Sequence, residues 1–271
     1  MRAMKSFVAR HFPRLALAYL EARDLWSSRD LSIAPTPFGF LLTGSRLMRS
    51  GSFENSEIAF VRTELAHCDL LVDVGANVGL YTCLARQVGK PVVAVEPDPR
   101  NCSLLFTNLI VNGWTDTEVL PVALGQHPGI VHLFGAGTGA SLVRGWADAH
   151  PLLHRPIAMS TLDRILGDRY LGKRLLIKID IEGGEYDMLL GSSMTLSHNP
   201  APTWLVEVCL TEHHPDGINP HFADVFRVFW ERGYKAYTLD RPPRLIKMED
   251  VNAWSRSGKR AFGSHNTVFR M

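Results

Sequence analysis

The run Leu70-Leu71-Val72-Asp73-Val74 followed by Gly75-Ala76-Asn77-Val78-Gly79 limits the possible folds of this chain more than any other stretch. Nearly continuous apolar character is the mark of a strand buried on both faces, as in a parallel sheet. A strand tip that turns sharply into a helix while its backbone approaches a ligand needs glycine in the tight places. Asn77 is among the few non-glycine residue types that tolerate left-handed backbone angles. Val78 to Val88 then reads as a helix, with Leu80, Cys83, Leu84 and Val88 on one side. Amides at the start of such a helix point at a negatively charged group such as a carboxylate.

A second apolar run, Val92-Val93-Ala94-Val95, stops at Glu96-Pro97. Glu96 stands 21 positions after Gly75, at a strand end where a carboxylate accepts hydrogen bonds from ribose hydroxyls. A dinucleotide fingerprint needs glycines at 75, 77 and 80. This chain has Gly75, Asn77, Gly79 and Leu80, so the loop suits a smaller ligand than a pyrophosphate. Asp73 lies inside the first strand, where a carboxylate is costly unless satisfied. It has two compatible readings: orienting the glycine loop through backbone amides, and contacting the ligand's amino group.

The same alternation of short apolar runs and helical stretches continues along the chain. Strands are expected at Glu118–Ala123, Ile130–Phe134, Ile157–Met159, Leu175–Ile179 and Trp204–Leu210, with Tyr234–Leu239 and Thr267–Arg270 completing a seven-strand count for the main sheet. Helices are expected at Asn101–Asn112, at Thr161–Leu166, from Glu185, and over Asn219–Arg232, where Phe222, Val225, Phe226 and Phe229 share a face. Residues 240–263 carry Arg241, Arg244, Lys247, Arg256, Lys259 and Arg260 and read as an exposed loop or lid.

Residues 1–26 are basic and apolar by turns, and Arg10, His11 and Arg14 interrupt any run long enough for a signal peptide or a membrane span. A surface helix packing Leu15, Ala18, Tyr19 and Leu25 on the main domain is expected, with peripheral membrane contact as the weaker alternative. The division is an N-terminal helical extension over 1–50 and one domain over 51–271. Formal net charge is +2, without the basic stripe of a nucleic-acid binder. The four cysteines stand singly, which favours a reducing cytoplasm over a disulfide framework.

Taken together, LVDVGANVGLYT at 71–82, VAVEPDP at 93–99, VALG at 122–125, GASL at 139–142, STLD at 160–163 and LIKIDIEGGEYDML at 176–189 resemble the FkbM family of methyltransferases. One departure is Gly184, where the family usually has alanine. The resemblance covers roughly residues 50–210 and implies an α/β fold. That fold is a seven-stranded, mostly parallel Rossmann-like methyltransferase sheet with helices on both faces. It implies S-adenosylmethionine as cofactor, in contact with Asp73, Gly75, Ala76, Asn77, Gly79, Glu96, Pro97 and Ala123. It further implies O-methylation of a small-molecule, sugar, glycolipid or polyketide-type hydroxyl. N- or C-methylation on the same fold and a non-catalytic cofactor-binding partner are the alternatives.

Ligands of open parallel sheets bind outside the carboxyl ends of the strands. Asp180 falls at such an end, with Glu182, Gly183, Gly184 and Glu185 turning into a helix. Lys178 and Asp180 share a strand face, and an ion pair of Lys178 with either Asp180 or Glu207 accounts for a buried charge. Asp180 is the first candidate and Glu182 the second for the carboxylate that takes the acceptor's proton. Helix N-terminal charge placement is the alternative for Glu182 and Glu185. A Mg²⁺ ion on Asp180 with Glu182 or Glu207 is a variant with an incomplete ligand set. His213 and His214 are read as base, substrate contact or exposed loop pair.

Overall fold

A computed structural model describes residues 32–271, so the surface helix expected within 1–26 lies outside the described residues. The described chain opens with a two-stranded hairpin, β1 (Ala34–Pro35) and β2 (Leu41–Leu42), and two helices, α1 (Arg46–Ser50) and α2 (Asn55–Glu64). Phe40, Leu42 and Met48 from this segment are buried beside Leu71, Ala76 and Leu84. β3 (Leu70–Val74) leads into α3 (Leu80–Gln87), and β4 (Val92–Val95) into α4 (Pro99–Val111). The start of α4 is set by Asp98, whose carboxylate caps the Arg100 amide, and by Pro99 at the first helical position. Val88 closes α3 and is 58% exposed, so it is not on the buried face that the spacing predicts.

The expected strand over 118–123 breaks at Pro121, which has no N–H to give to a ladder. Its first part, β5 (Glu118–Leu120), pairs with β4, and its second, β6 (Ala123–Leu124), joins a separate sheet. That sheet has three strands in the order β6-β8-β7, where β7 is Gly129–Phe134 and β8 is His154–Ser160. Thr161 caps α5 (Leu162–Leu166), and β9 (Leu175–Ile179), α6 (Glu185–Leu190), α7 (Ser193–Leu196) and β10 (Thr203–Glu207) follow. The chain continues through α8 (Phe222–Trp230), β11 (Lys235–Thr238), β12 (Leu245–Ile246), α9 (Met248–Ser257) and β13 (Asn266–Arg270).

The main sheet is ordered β12-β11-β13-β10-β9-β3-β4-β5. β5, β4, β3, β9 and β10 run parallel, and β13 is inserted antiparallel between β10 and β11. The sheet has eight strands rather than the expected seven, because the chain folds back after Thr238 and pairs Ala236 with Ile246. Residues 240–263 are therefore not simply a loop or lid. They contain β12 and α9, anchored by Ile246, Val251 and Trp254, each no more than 2% exposed. Arg260 is drawn inward as well, its guanidinium 5.2 Å from the Phe222 ring and 5.4 Å from the Trp254 ring.

Period-two alternation assigns side chains to the two faces of the main sheet. Val72, Val74, Ile177, Ile179, Trp204 and Val206 face the core shared with α8. Leu71, Leu176 and Leu205 face the other core, with α2 and α3. Asp73, Lys178 and Glu207 fall in this second set by alternation, and Asp180 continues it beyond the tip of β9. Four charged residues on one sheet face, at neighbouring strand ends, are the frame on which the site is built.

Candidate active site

The turn after β3 is left-handed at Gly75, Asn77 and Gly79, with φ of 80°, 52° and 91°. A Cβ at Gly75 would lie 1.7 Å from the Asp180 carbonyl oxygen, so glycine here lets the tips of β3 and β9 meet. The Gly75 and Ala76 amides donate to the Val95 carbonyl at 2.9 and 3.0 Å. The Asn77 amide donates to Glu96 Oε2 at 2.7 Å, so the carboxylate it points at is the protein's own. Glu96 Oε1 accepts from the Asp98 amide at 2.8 Å and from Asn101 Nδ2 at 3.2 Å. Burial raises Glu96 to about 7 against these donors.

Asp73 is fully buried and accepts from Thr82 Oγ1 at 2.6 Å. It orients the first turns of α3, whereas the amides of Gly75 and Ala76 are taken by Val95, so the loop-orienting reading of Asp73 gives way to a helix-orienting one. Its Oδ1 has no partner in the structure. Lys178 Nζ lies 2.9 Å from Asp180 Oδ2 and 4.5 Å from the centre of the Tyr81 ring, which selects Asp180 from its two expected partners. Burial works against the Lys178 charge, but the carboxylates of Asp180, Glu54 and Asp73 outweigh it and hold the ammonium protonated.

Glu207 completes this group by hydrogen bonding to Asp180. Burial, reinforced by the neighbouring charge of Asp180, pushes Glu207 far above the usual carboxyl range, so it keeps its proton and donates it to Asp180. Burial alone would raise Asp180 too, but the Lys178 ammonium overrides it and keeps Asp180 ionised.

Glu182 adopts a left-handed φ of 57°, a conformation that non-glycine residues keep only when surroundings enforce it. Its Oε2 accepts from the Trp146 indole N–H at 2.5 Å. Burial and the adjacent Asp180 charge raise it to about 7. Glu185, 2% exposed, accepts from the Gly183 amide at 3.0 Å and so closes its own turn at the start of α6, while burial raises it to about 7.

These elements enclose a cleft of about 390 Å³ at the carboxyl ends of β3, β4 and β9. Gly75, Asn77, Glu96, Pro97, Ala123, Asp180 and Glu182 line it, whereas Asp73, Ala76 and Gly79 stand behind the lining. Gly79 is required by packing, since a Cβ there would lie 2.3 Å from Leu105 Cδ1. His213 and His214 pack around Trp146, with ring centres at 6.2 and 6.0 Å, and neither lines the cleft. Carboxylate oxygens of Asp180, Glu182 and Glu207 lie within 4.8 Å of one another, the grouping that the Mg²⁺ variant requires, but Asp180 is already neutralised by Lys178.

Sequence reasoning missed Glu54, which reaches the cleft from the turn before α2 and accepts from the Tyr81 hydroxyl at 2.5 Å. Nothing local to Glu54 distinguishes it from a surface carboxylate. Trp146 was missed for the same reason, whereas Ser141, a lining residue, sits inside the GASL stretch. The cleft volume lies in the range of about 300–1,000 Å³ common for small-ligand sites. The residues fit an S-adenosyl group: Glu96 keeps acceptor capacity on Oε2, and Gly75 leaves a bare backbone at the strand tip.

A mostly parallel sheet with an inserted antiparallel strand and a glycine-loop cleft at its carboxyl edge defines an α/β methyltransferase-like fold. Residues 73–236 match the Methyltransferase FkbM domain, and the chain belongs to this family. The family is one of methyltransferases. No curated protein matches it. Among solved structures it is similar to methyltransferase FkbM from Methylobacillus flagellatus KT, at 21% identity and a TM-score of 0.43 over 64% of this chain. The match spans 41% of that protein's own length. It is also similar to the O-methyltransferase from Bacillus cereus in complex with SAH, at 10% identity and a TM-score of 0.46, covering 98% of this chain and 96% of that one. A third is the precorrin-6y C5,15-methyltransferase from Geobacter metallireducens GS-15, at 9% identity and a TM-score of 0.42, covering 85% and 90%. Among the described residues no helix is long and apolar enough to cross a membrane.

Proposed function

We propose that the chain is a cytoplasmic O-methyltransferase acting on a hydroxyl of a small-molecule, sugar or lipid-linked acceptor, with Glu182 as the proton-accepting group. The observation that carries this reading is the pairing of two unlike carboxylates at one cleft wall. Asp180 is ionised and locked by Lys178 and Glu207, while Glu182 is raised to about 7. A group near the working pH is the better general base, and a locked carboxylate beside it serves to orient the acceptor. This order reverses the ranking that strand position alone suggests. The reading uses no metal, because Lys178 and the proton on Glu207 already balance the cluster.

Bound S-adenosylmethionine supplies an electrophilic methyl group on a sulfonium. The residues of the chain do the rest: Glu96 accepts from ribose, the Gly75–Asn77 backbone passes close beside the ligand, and Pro97 and Ala123 complete the wall. Holding the acceptor oxygen in line with the methyl supplies much of the rate. Residues 1–50 are proposed as an extension that shapes acceptor choice, since Ser45, Leu47 and Met48 form part of the cleft wall. Five carboxylates line the cleft, Glu54, Glu96, Asp180, Glu182 and Glu207, with no lysine or arginine among the described lining residues. Without a cation among the described lining residues the cleft has no partner to offer a phosphate-rich acceptor. Methyl-labelled cofactor with a panel of hydroxyl and amine acceptors tests the reading; label appearing only on nitrogen or carbon overturns it.

A further inference from the structure

We propose that Trp146 is a positioning residue for methyl transfer, holding the Glu182 carboxylate at the cleft wall through its indole N–H; this rests on the role proposed for Glu182. Trp146 lies in a short 3-10 turn of the segment that joins β7 to β8, far in sequence from the turn after β9 that it touches. The side chain is fully buried and does not line the cleft, so it acts through the residue it contacts.

Two contacts fix the indole against the Glu182 turn, and a third holds the turn itself. The N–H donates to Glu182 Oε2 at 2.5 Å. The ring lies on Gly183, where a Cβ would stand 2.5 Å from Trp146 Cζ3, so the first glycine of the Glu182-Gly183-Gly184 turn leaves room for an indole. The Ser141 hydroxyl, from the same β7–β8 segment, donates to the Glu182 carbonyl oxygen. On its far side the turn is tied to the loop after β10, where the Ala147 amide donates to the His213 carbonyl at 2.9 Å.

Backbone strain marks the same place. Of the six non-glycine residues with positive φ among the described residues, four lie in these three segments: Ala147, Asp148, Glu182 and His213. Such conformations persist where the surroundings over-determine them, and they gather at functional sites. A buried indole N–H needs an acceptor in any case, and here the acceptor is a carboxylate that itself lines the cleft, whereas phenylalanine would provide most of the same apolar contact without that bond.

The test uses the full chain loaded with S-adenosylmethionine. In ¹⁵N-indole spectra the Trp146 signal, identified by its loss in W146F, is expected to shift upfield in E182Q as a charged acceptor becomes neutral. An unmoved signal overturns the proposal; sequential through-bond assignment of the wild-type protein identifies the Trp146 signal where W146F does not fold. In ¹³C-carboxyl spectra the Glu182 line, identified by its loss in E182Q, is expected to broaden or move in W146F while cofactor affinity stays unchanged. A Glu182 line identical to wild type makes Trp146 a core filler. Failure of the methyltransferase reading itself would show differently, as wild-type protein that does not bind S-adenosylmethionine.

Discussion

The Asn77 amide and the Glu96 carboxylate are joined by a 2.7 Å hydrogen bond, which makes the glycine loop and the acidic strand tip a single unit. Neither can be changed alone. Replacing Glu96 with alanine removes the proposed ribose acceptor and also leaves the Asn77 and Asp98 amides without their partner. We predict a loss of cofactor affinity together with a stability loss of about 1–3 kcal/mol for each amide left unsatisfied. Calorimetric titration with S-adenosylmethionine, alongside a melting curve, reads both; unchanged affinity removes the ribose role.

Gly75→Ala is expected to be far more damaging than a surface glycine substitution. The added Cβ meets the Asp180 carbonyl at 1.7 Å, and the strand tips must separate to admit it. The loss should reach about 4 kcal/mol or more, the size reserved for overpacking and strain combined. A variant that melts like wild type would show that the two tips are not in contact.

Asp180→Asn and Glu182→Gln should fail in different ways. The first leaves Lys178 as a buried, poorly paired cation, with an expected stability cost of about 3–5 kcal/mol. The second keeps the fold and the cofactor affinity while lowering turnover by about 10²–10⁴-fold. Equal turnover in wild type and Glu182→Gln would return the proton-accepting role to Asp180.

Burial raises the carboxyls of Glu96, Glu182 and Glu185 from 4.5 to about 7. Between those values the folded protein holds protons that the unfolded chain has released, so its stability falls as pH rises. Their contribution is complete below about pH 4.5 and gone above about pH 7. Asp180, held low by Lys178 despite its burial, acts in the opposite sense and only in more acidic solution. Melting of the cofactor-free protein is expected to move to lower temperature from pH 5 to pH 8. A rise over that interval contradicts the assigned burial of these groups. Turnover should follow the other branch, increasing as Glu182 ionises near pH 7.

How far the sequence reaches depends on how local each determinant is. The turn at Gly75–Gly79, the tip at Glu96 and the need of Lys178 for a carboxylate are legible because one strand and its neighbour decide them, whereas the choice of Asp180 over Glu207 takes the structure. The break at Pro121 is carried by one missing N–H inside an otherwise continuous apolar run, a signal weaker than the run itself. α9 escaped because only Val251 and Trp254 of its ten residues are buried, too few to stand out among basic neighbours. Glu54 and Trp146 reach the site from distant segments, and their meaning arises only when Tyr81 and Glu182 are beside them.

The insertion of β13 between β10 and β11 has a consequence for biosynthesis. A sheet whose interior strand is residues 266–270 cannot close while those residues are still being made. Until then β10 and β11 each present an open backbone edge, the state in which strands pair with the wrong chain. The nascent protein therefore passes through an interval of exposure on the side of the sheet away from the cofactor loop, and shielding during synthesis matters most there.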